Sequence, residues 1–191
     1  MRPHGVIGVI VGKIMDLLNR RACQFARRKL HGDAVLEIGF GTGQLVRLLS
    51  DDGTHRFVAG IDPSPLMLRM ARKRNKKPVE RGEVDLRLGE VSTLPWGDAY
   101  FDAVAALHSF QFWNDPLHDL REVRRVLKPG GQLLLILRAR NPNRADWLPN
   151  PLSRGSNEIA ETCVALRQSG FSDIAAEGKV GSSAVVVARR A

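Results

Sequence analysis

Read for the spacing of its apolar positions, the chain resolves into short apolar runs alternating with amphipathic stretches. Ile14, Leu17, Leu18, Ala22, Phe25 and Ala26 recur at helical spacing and predict a helix over 13–30. Residues 1–12, rich in glycine and small apolar side chains, read as a flexible arm before it. Ala34–Ile38 is a short, nearly all-apolar run of the kind that makes a strand buried on both faces. Similar runs follow at Phe57–Ile61, Phe101–Leu107 and Gln132–Leu137, with an alternating strand at Val84–Leu88. Between them the spacing predicts helices over Gln44–Ser50, Ser64–Lys77 and Asp115–Leu127, and then one over Asn157–Ser169. Phe171–Ala175 and Ala184–Ala188 are the last two strands, joined by Gly178–Ser183. That link is too short for a helical crossover, so the pair is expected to be an antiparallel hairpin.

Strands and helices in this order imply βαβ units with right-handed crossovers. The expected fold is α/β: a Rossmann-like, doubly wound, mostly parallel seven-stranded sheet in a three-layer sandwich, closed by the C-terminal antiparallel hairpin. Arg140–Ser156, rich in proline and asparagine, reads as a linker.

Composition changes this picture little. At 191 residues the chain fits one compact domain, and 43% hydrophobic with 26% charged residues is ordinary for a globular protein. The net charge of +9 comes from basic clusters at 20–29, 69–77 and 121–128, each on an expected helix. They read as solvated helix faces, with a nucleic-acid surface as the alternative. Cys23 and Cys163 stand apart from any CxxC or His/Cys cluster, which argues against a disulfide framework or a metal site and for a cytoplasmic setting. No stretch approaches the roughly 20 apolar residues of a membrane span.

The chemistry gathers where the first strand runs into Gly39-Phe40-Gly41-Thr42-Gly43 and then a helix. Glycines let backbone amides approach a ligand, and a helix N-terminus supplies unpaired N–H donors. A dinucleotide fingerprint needs a third glycine where Gln44 stands, so the G-x-G-x-G spacing departs from that pattern. Glu37 lies two residues before the first glycine, and Asp62 ends the second strand, where an acid can take ribose hydroxyls. Asp62 can equally cap the helix that follows.

Val35-Leu36-Glu37-Ile38-Gly39-Phe40-Gly41-Thr42-Gly43 resembles motif I of the class I S-adenosylmethionine-dependent methyltransferases. The resemblance continues through Gly60-Ile61-Asp62-Pro63-Ser64, Gly89–Trp96, Phe101-Asp102-Ala103-Val104 and Leu127-Lys128-Pro129-Gly130-Gly131, and is closest to the branch with ubiquinone/menaquinone-biosynthesis methyltransferases. It implies S-adenosylmethionine as cofactor. By that resemblance Gly39, Phe40, Gly41, Thr42 and Gly43 frame its methionine part, which Glu37 also reaches. Asp62 holds the ribose, and Pro63, Met67, Glu90 and Val91 border the adenine. Leu107 and His108 pass beneath the sulfonium by their backbone. Family members usually carry Asp-Ala where Glu90-Val91 stands, so the adenine contact here falls to a longer acid.

The acceptor is expected to be a small organic molecule, lipid or quinone-like ones included, with a nucleic-acid-directed methyltransferase as the alternative. His108 is the candidate base. Gln111, Trp113 and Arg138 are candidate substrate contacts, joined by Phe110, Phe112 and the linker residues Arg140, Asn141, Asn143 and Trp147. His118 reads as a surface residue. Residues 1–30 are expected to form an arm and helix that act as a lid or substrate cover, with 31–191 as the cofactor-binding domain. Oligomeric state is left open.

Overall fold

The computed structural model describes residues 5–138 and 156–191, with side chains from Asp16 to Arg138 and from Asn157 to Ala191. The elements run in the order α1 (Gly5–Lys29), β1 (Ala34–Ile38), α2 (Gln44–Asp52), β2 (Phe57–Asp62), α3 (Pro65–Arg74), α4 (Lys76–Glu80), β3 (Val84–Leu88), β4 (Phe101–Leu107), α5 (Pro116–Val126), β5 (Leu127–Arg138), α6 (Ser156–Gln168), β6 (Phe171–Val180) and β7 (Ser183–Arg190). The seven strands form one sheet in the order β3-β2-β1-β4-β5-β7-β6. β3, β2, β1, β4 and β5 pair in parallel, and β7 pairs antiparallel with both β5 and β6. The strand order reverses between β1 and β4, and at such a switch point the loops diverge and leave a crevice at the carboxyl ends of the strands.

Buried strands need apolar side chains on both faces, and β5 shows how the sequence supplies them. Leu133, Leu135 and Leu137 face one core with Leu120, Val123, Val126 and Leu166 of α5 and α6. Leu134 and Ile136 face the other, with Ala22 and Ala26 of α1, Leu45 and Leu49 of α2, and Ala71 of α3. These strand residues are fully buried. Asp102 stitches the lower edge: its carboxylate accepts from the Ala34 backbone N–H at 2.9 Å and from Lys128 Nζ at 2.6 Å. The Phe101-Asp102 and Leu127-Lys128 segments of the resemblance are thus architectural here.

Three elements differ from expectation. Helix α1 begins at Gly5, so most of the supposed arm is helical. Glycines and β-branched residues lower helix propensity without forbidding a helix, and extending one already packed against the sheet carries no nucleation cost. The helix expected over Ser64–Lys77 divides at Asn75. Asn75 is fully buried and donates its amide to the Ala71 carbonyl at 2.9 Å and the Gly43 carbonyl at 3.2 Å, and Pro78 has no N–H with which to continue the ladder. The hairpin strands reach further than predicted, leaving Gly181-Ser182 as the turn, with Gly181 at φ 60°. The linker 140–155, with Arg140, Asn141, Asn143 and Trp147, lies outside the described residues. No helix among the described residues is long and apolar enough to cross a membrane.

Candidate cofactor and acceptor site

The crevice at the β1/β4 switch point is a cleft of about 640 Å³, within the range of small-molecule sites. Its floor is the glycine loop. Gly39, Gly41 and Gly43 all have positive φ (76°, 53° and 74°), a region where a Cβ is penalised. Gly39 N–H donates to the Ile61 carbonyl at 2.8 Å, which fixes the loop to β2. Asp62 then closes it: one carboxylate oxygen accepts from Gly41 N–H and the other from Ser64 N–H, both at 2.9 Å. The cap of α3 is Ser64, whose hydroxyl accepts from Met67 N–H. Asp62 therefore ties the loop after β1 to the loop after β2, and it also lines the cleft.

Glu37 is 3% exposed and lines the same cleft, and its Oε2 has no hydrogen-bond partner. Burial raises its pKa well above the usual carboxylate range, with the Asp62 charge adding to the rise against a backbone bond from Val46. A buried acceptor with no donor is a costly arrangement unless a ligand supplies one. Of the remaining expected residues, Phe40, Thr42, Pro63, Met67, Glu90, Val91, Leu107, His108 and Trp113 line the cleft. Gly43, Gln111 and Arg138 do not. Gly43 is the N-cap of α2, packed where a Cβ would lie 2.8 Å from Ala71 Cβ. Gln111 turns back to donate to the His108 carbonyl. Arg138 is near enough for its charge to act on His108.

His108 sits at a strained φ of 54° just past β4. Its Nδ1 meets Asn19 Oδ1 at 2.9 Å and its Nε2 meets Ser183 Oγ at 2.8 Å. With an amide oxygen on Nδ1, that nitrogen carries the proton, and Nε2 accepts from the serine hydroxyl. Burial, then the charge of Arg138, push its pKa down to about 4. The ring is a neutral bracket joining α1, β4 and β7. Next to it Ser109 Oγ donates to the Ile38 carbonyl at 2.6 Å, which ties the ends of β1 and β4 together.

The sequence reading missed one wall. Asp16, Asn19 and Cys23 of α1 line the cleft. Their i, i+3, i+7 spacing puts them on one face of the helix, and that shared face is the signal that could have found them. Arg74 bridges Asp16 and Thr42, donating to the Thr42 hydroxyl at 2.7 Å and to the Asp16 carboxylate, while Thr42 Oγ1 also donates to Asp16. Cys23 Sγ contacts Gln44 Oε1, and burial pushes its thiol pKa up, so it is held as an inert thiol. His118, read as a surface residue, also lines the cleft, beside Asp115 and the buried Asp119. Phe110 packs into the core against Trp113, ring centroids 4.8 Å apart, whereas Phe112 stays 61% exposed at the cleft.

Asp16, Glu37, Asp62, Glu90, Asp115 and Asp119 line this cleft, and no lysine or arginine is among the described residues lining it. Arginines and lysines are instead paired with acids outside it, as in Arg27–Asp52, Lys29–Glu177 and Arg125–Glu122. An acidic, partly apolar cleft with an unpaired acceptor suits a cationic ligand rich in N–H donors.

Residues 36–135 match the methyltransferase-domain family. Over 170 residues, 87% of this chain and 88% of the relative, the sequence is 31% identical to YdaC, an uncharacterized methyltransferase of Bacillus subtilis. It is 34% identical over 108 residues to a demethylmenaquinone methyltransferase of Thermotoga maritima, covering 56% of this chain but only 44% of that one. Among solved structures, a SAM-dependent methyltransferase from Aquifex aeolicus superposes with a TM-score of 0.78 at 21% identity, over 96% of this chain and 98% of that chain. A methyltransferase from Haloferax volcanii, solved in complex with the activator Trm112, gives 0.79 at 22% identity over 93% and 92%. With the family matched across more than half its length and a relative aligned over most of both chains, this chain belongs to the methyltransferase-domain family of S-adenosylmethionine-dependent enzymes.

Proposed function

We propose that the chain binds S-adenosylmethionine in this cleft and transfers its methyl group to a small organic acceptor. The observation that carries the reading is the unpartnered Glu37 Oε2 in an acidic cleft floored by positive-φ glycines. The cofactor is a sulfonium with an α-ammonium group, so it brings both the positive charge and the donors that these walls lack. In this reading Glu37 and the Gly39–Thr42 backbone hold the methionine end. Asp62 takes the ribose with the lone pairs left after Gly41 and Ser64, and Pro63, Met67, Glu90 and Val91 frame the adenine. When bound, the cofactor supplies an electrophilic methyl group with a good leaving group behind it. What remains for the protein is alignment and an electrostatic environment.

His108 acts in this reading as a positioning residue rather than a base. Both ring nitrogens are engaged and its pKa is low, while its backbone lines the cleft beside Leu107. Helix α1, through Asp16, Asn19 and Cys23, serves as the cover over the cofactor. A quinone-like acceptor is suggested by the names of relatives such as the Thermotoga maritima enzyme, of which the match spans less than half. Two free cysteines accord with a reducing, cytoplasmic setting.

Titration calorimetry with S-adenosylmethionine and S-adenosylhomocysteine tests the reading. Binding is expected in the micromolar range, and no heat at millimolar ligand overturns it. Asp62→Ala is expected to lose about 1–3 kcal/mol of cofactor affinity, roughly 5- to 150-fold, because the ribose hydroxyls lose a charged acceptor. Unchanged affinity would remove Asp62 from that role.

A further inference from the structure

We propose that the part of the cleft formed by Phe112, Trp113, Asp115, His118 and Asp119 receives the methyl acceptor, and that this acceptor is a small amine bound as its ammonium. The proposal rests on the methyltransferase reading and adds the chemical class of the acceptor to it. None of these residues is needed for the cofactor contacts assigned above, yet all line the same cleft.

Three independent features point to a cation there. Asp119 is only 2% exposed, and the side chain near its carboxylate is His118, with Nδ1 3.4 Å from Oδ1. That is at the long end of hydrogen bonding. Burial raises the Asp119 pKa, against hydrogen bonds from His118 and the Asp115 backbone that lower it. Second, the two aromatics at this end are Phe112, 61% exposed, and the half-buried Trp113. Exposed aromatic surface in a cleft that also holds carboxylates is left uncovered unless a ligand fills it, and aromatic faces together with acids are a common receptor for an alkylammonium. Third, the cleft that these residues share with Glu37 and its orphaned Oε2 contains no lysine or arginine among its described lining. A phosphate or carboxylate acceptor would face Asp115 and Asp119 with no lysine or arginine among the described lining. An ammonium would instead add a full positive charge beside Asp119, which is otherwise contacted by His118 and the Asp115 backbone.

The same residues can manage the proton. An ammonium has no lone pair, so it must shed a proton before it reacts. His118 is 58% exposed at its side chain and is held at its backbone N–H by Asp115 Oδ1 at 3.1 Å. Its imidazole can take that proton and pass it to solvent, with Asp119 stabilising the imidazolium. The amine nitrogen then uses its lone pair for the new N–C bond, the electron pair of the broken C–S bond stays on sulfur, and the positive charge ends on the methylated nitrogen. One proton is released per turnover. The imidazole wedged between Asn19 and Ser183 is unsuited to this task, because neither of its nitrogens is free.

Binding by ligand-observed NMR and calorimetry tests this without needing turnover. The probes are phenethylamine and tryptamine against their neutral counterparts, phenethyl alcohol and tryptophol, with and without saturating S-adenosylhomocysteine. At least one amine is expected to bind about tenfold or more tightly than its alcohol. Asp119→Asn is expected to remove that preference while S-adenosylhomocysteine affinity and the melting temperature hold. Trp113→Ala is expected to weaken amine and alcohol alike. Equal binding of amines and alcohols, or an amine preference that survives in a folded Asp119→Asn protein, overturns the proposal. The amine–alcohol comparison on the unmodified protein decides the matter even if the variant fails to fold. Failure of S-adenosylhomocysteine to bind would count against the methyltransferase reading instead, and the amine preference measured without it still tests the acceptor site.

Discussion

Gly39→Ala will unfold this protein far more readily than Gly41→Ala, although the two glycines stand two residues apart in one loop and both have positive φ. A Cβ at Gly39 would lie 2.5 Å from Ser109 Cβ and 3.0 Å from its Oγ. Ser109 cannot yield, because its hydroxyl is spent on the Ile38 carbonyl at the end of β1. The left-handed conformation costs about 1–2 kcal/mol and the overpacking about 1–3 kcal/mol more. The sum, roughly 2–5 kcal/mol, is a large share of a typical stability of about 5–15 kcal/mol. For a domain of this size it corresponds to a melting temperature lower by roughly 5–20 °C. A Cβ at Gly41 meets no atom within 4 Å, because it would stand in the open cleft. Gly41→Ala should therefore lose only the conformational cost, about 1–2 kcal/mol, while cofactor affinity drops at least tenfold. Thermal melts and calorimetry on both variants separate the effects. Equal destabilisation of the two, or normal cofactor binding by Gly41→Ala, would contradict this division of the loop into a packed glycine and a ligand-facing one.

The same loop shows what a sequence can and cannot reveal. β1 and β4 begin and end where the apolar runs do, because strands buried on both faces are apolar along nearly their whole length, and β3 matches the alternating run of an edge strand. Glu37 and Asp62 were legible because their places, before the first glycine and at the end of β2, are fixed by local chain geometry. Asp16 and Asn19 were not, since they reach the cleft from an element distant in sequence, and neither was Ser183, which reaches His108 from β7. The bracket His108–Asn19 spans 89 residues and His108–Ser183 spans 75. The break at Asn75 was hidden for a related reason. It depends on a buried amide reaching the Gly43 carbonyl 32 residues away. His118 is exposed, as its place on the polar side of α5 implies, but helical periodicity does not reveal that the cleft meets that helix at its first turn. There the N-cap Asp115, with His118 and Asp119, lines the cleft whichever face is apolar.

Glu37→Gln should make the ligand-free protein more stable and the cofactor bind worse. The carboxylate is buried, its Oε2 has no partner, and its pKa is raised chiefly by burial and further by Asp62. A group whose pKa is higher folded than unfolded contributes stability that is full below its unfolded pKa, about 4.3, and is lost as pH rises through the folded value. Above that unfolded value the ligand-free protein therefore carries a penalty that grows with pH until the folded value is passed. Replacing the acid by its neutral isostere removes the penalty of an unpaired buried charge, worth about 1–3 kcal/mol or a melting temperature higher by roughly 3–10 °C. It should also flatten the fall in stability that Glu37 causes as pH rises above the unfolded carboxylate range, a fall that the His108 imidazole, held near pKa 4, opposes up to about pH 6.5 in both proteins. Carboxylates held low by arginine hydrogen bonds, Asp52 by Arg27 and Glu122 by Arg125, pull the other way, but only below their ordinary range. They cannot mimic a loss on the alkaline side. A cationic cofactor offsets the Glu37 penalty by pairing with the charge, so its stabilising effect on the unmodified protein should grow with pH over that window. In Glu37→Gln that growth should vanish and affinity should fall at least tenfold. Melting curves from pH 5 to 8, with and without S-adenosylhomocysteine, provide the check. A variant no more stable than the unmodified protein at pH 7, or one that binds the cofactor equally well, would show that Glu37 is not the strained acceptor that makes this cleft a cofactor site.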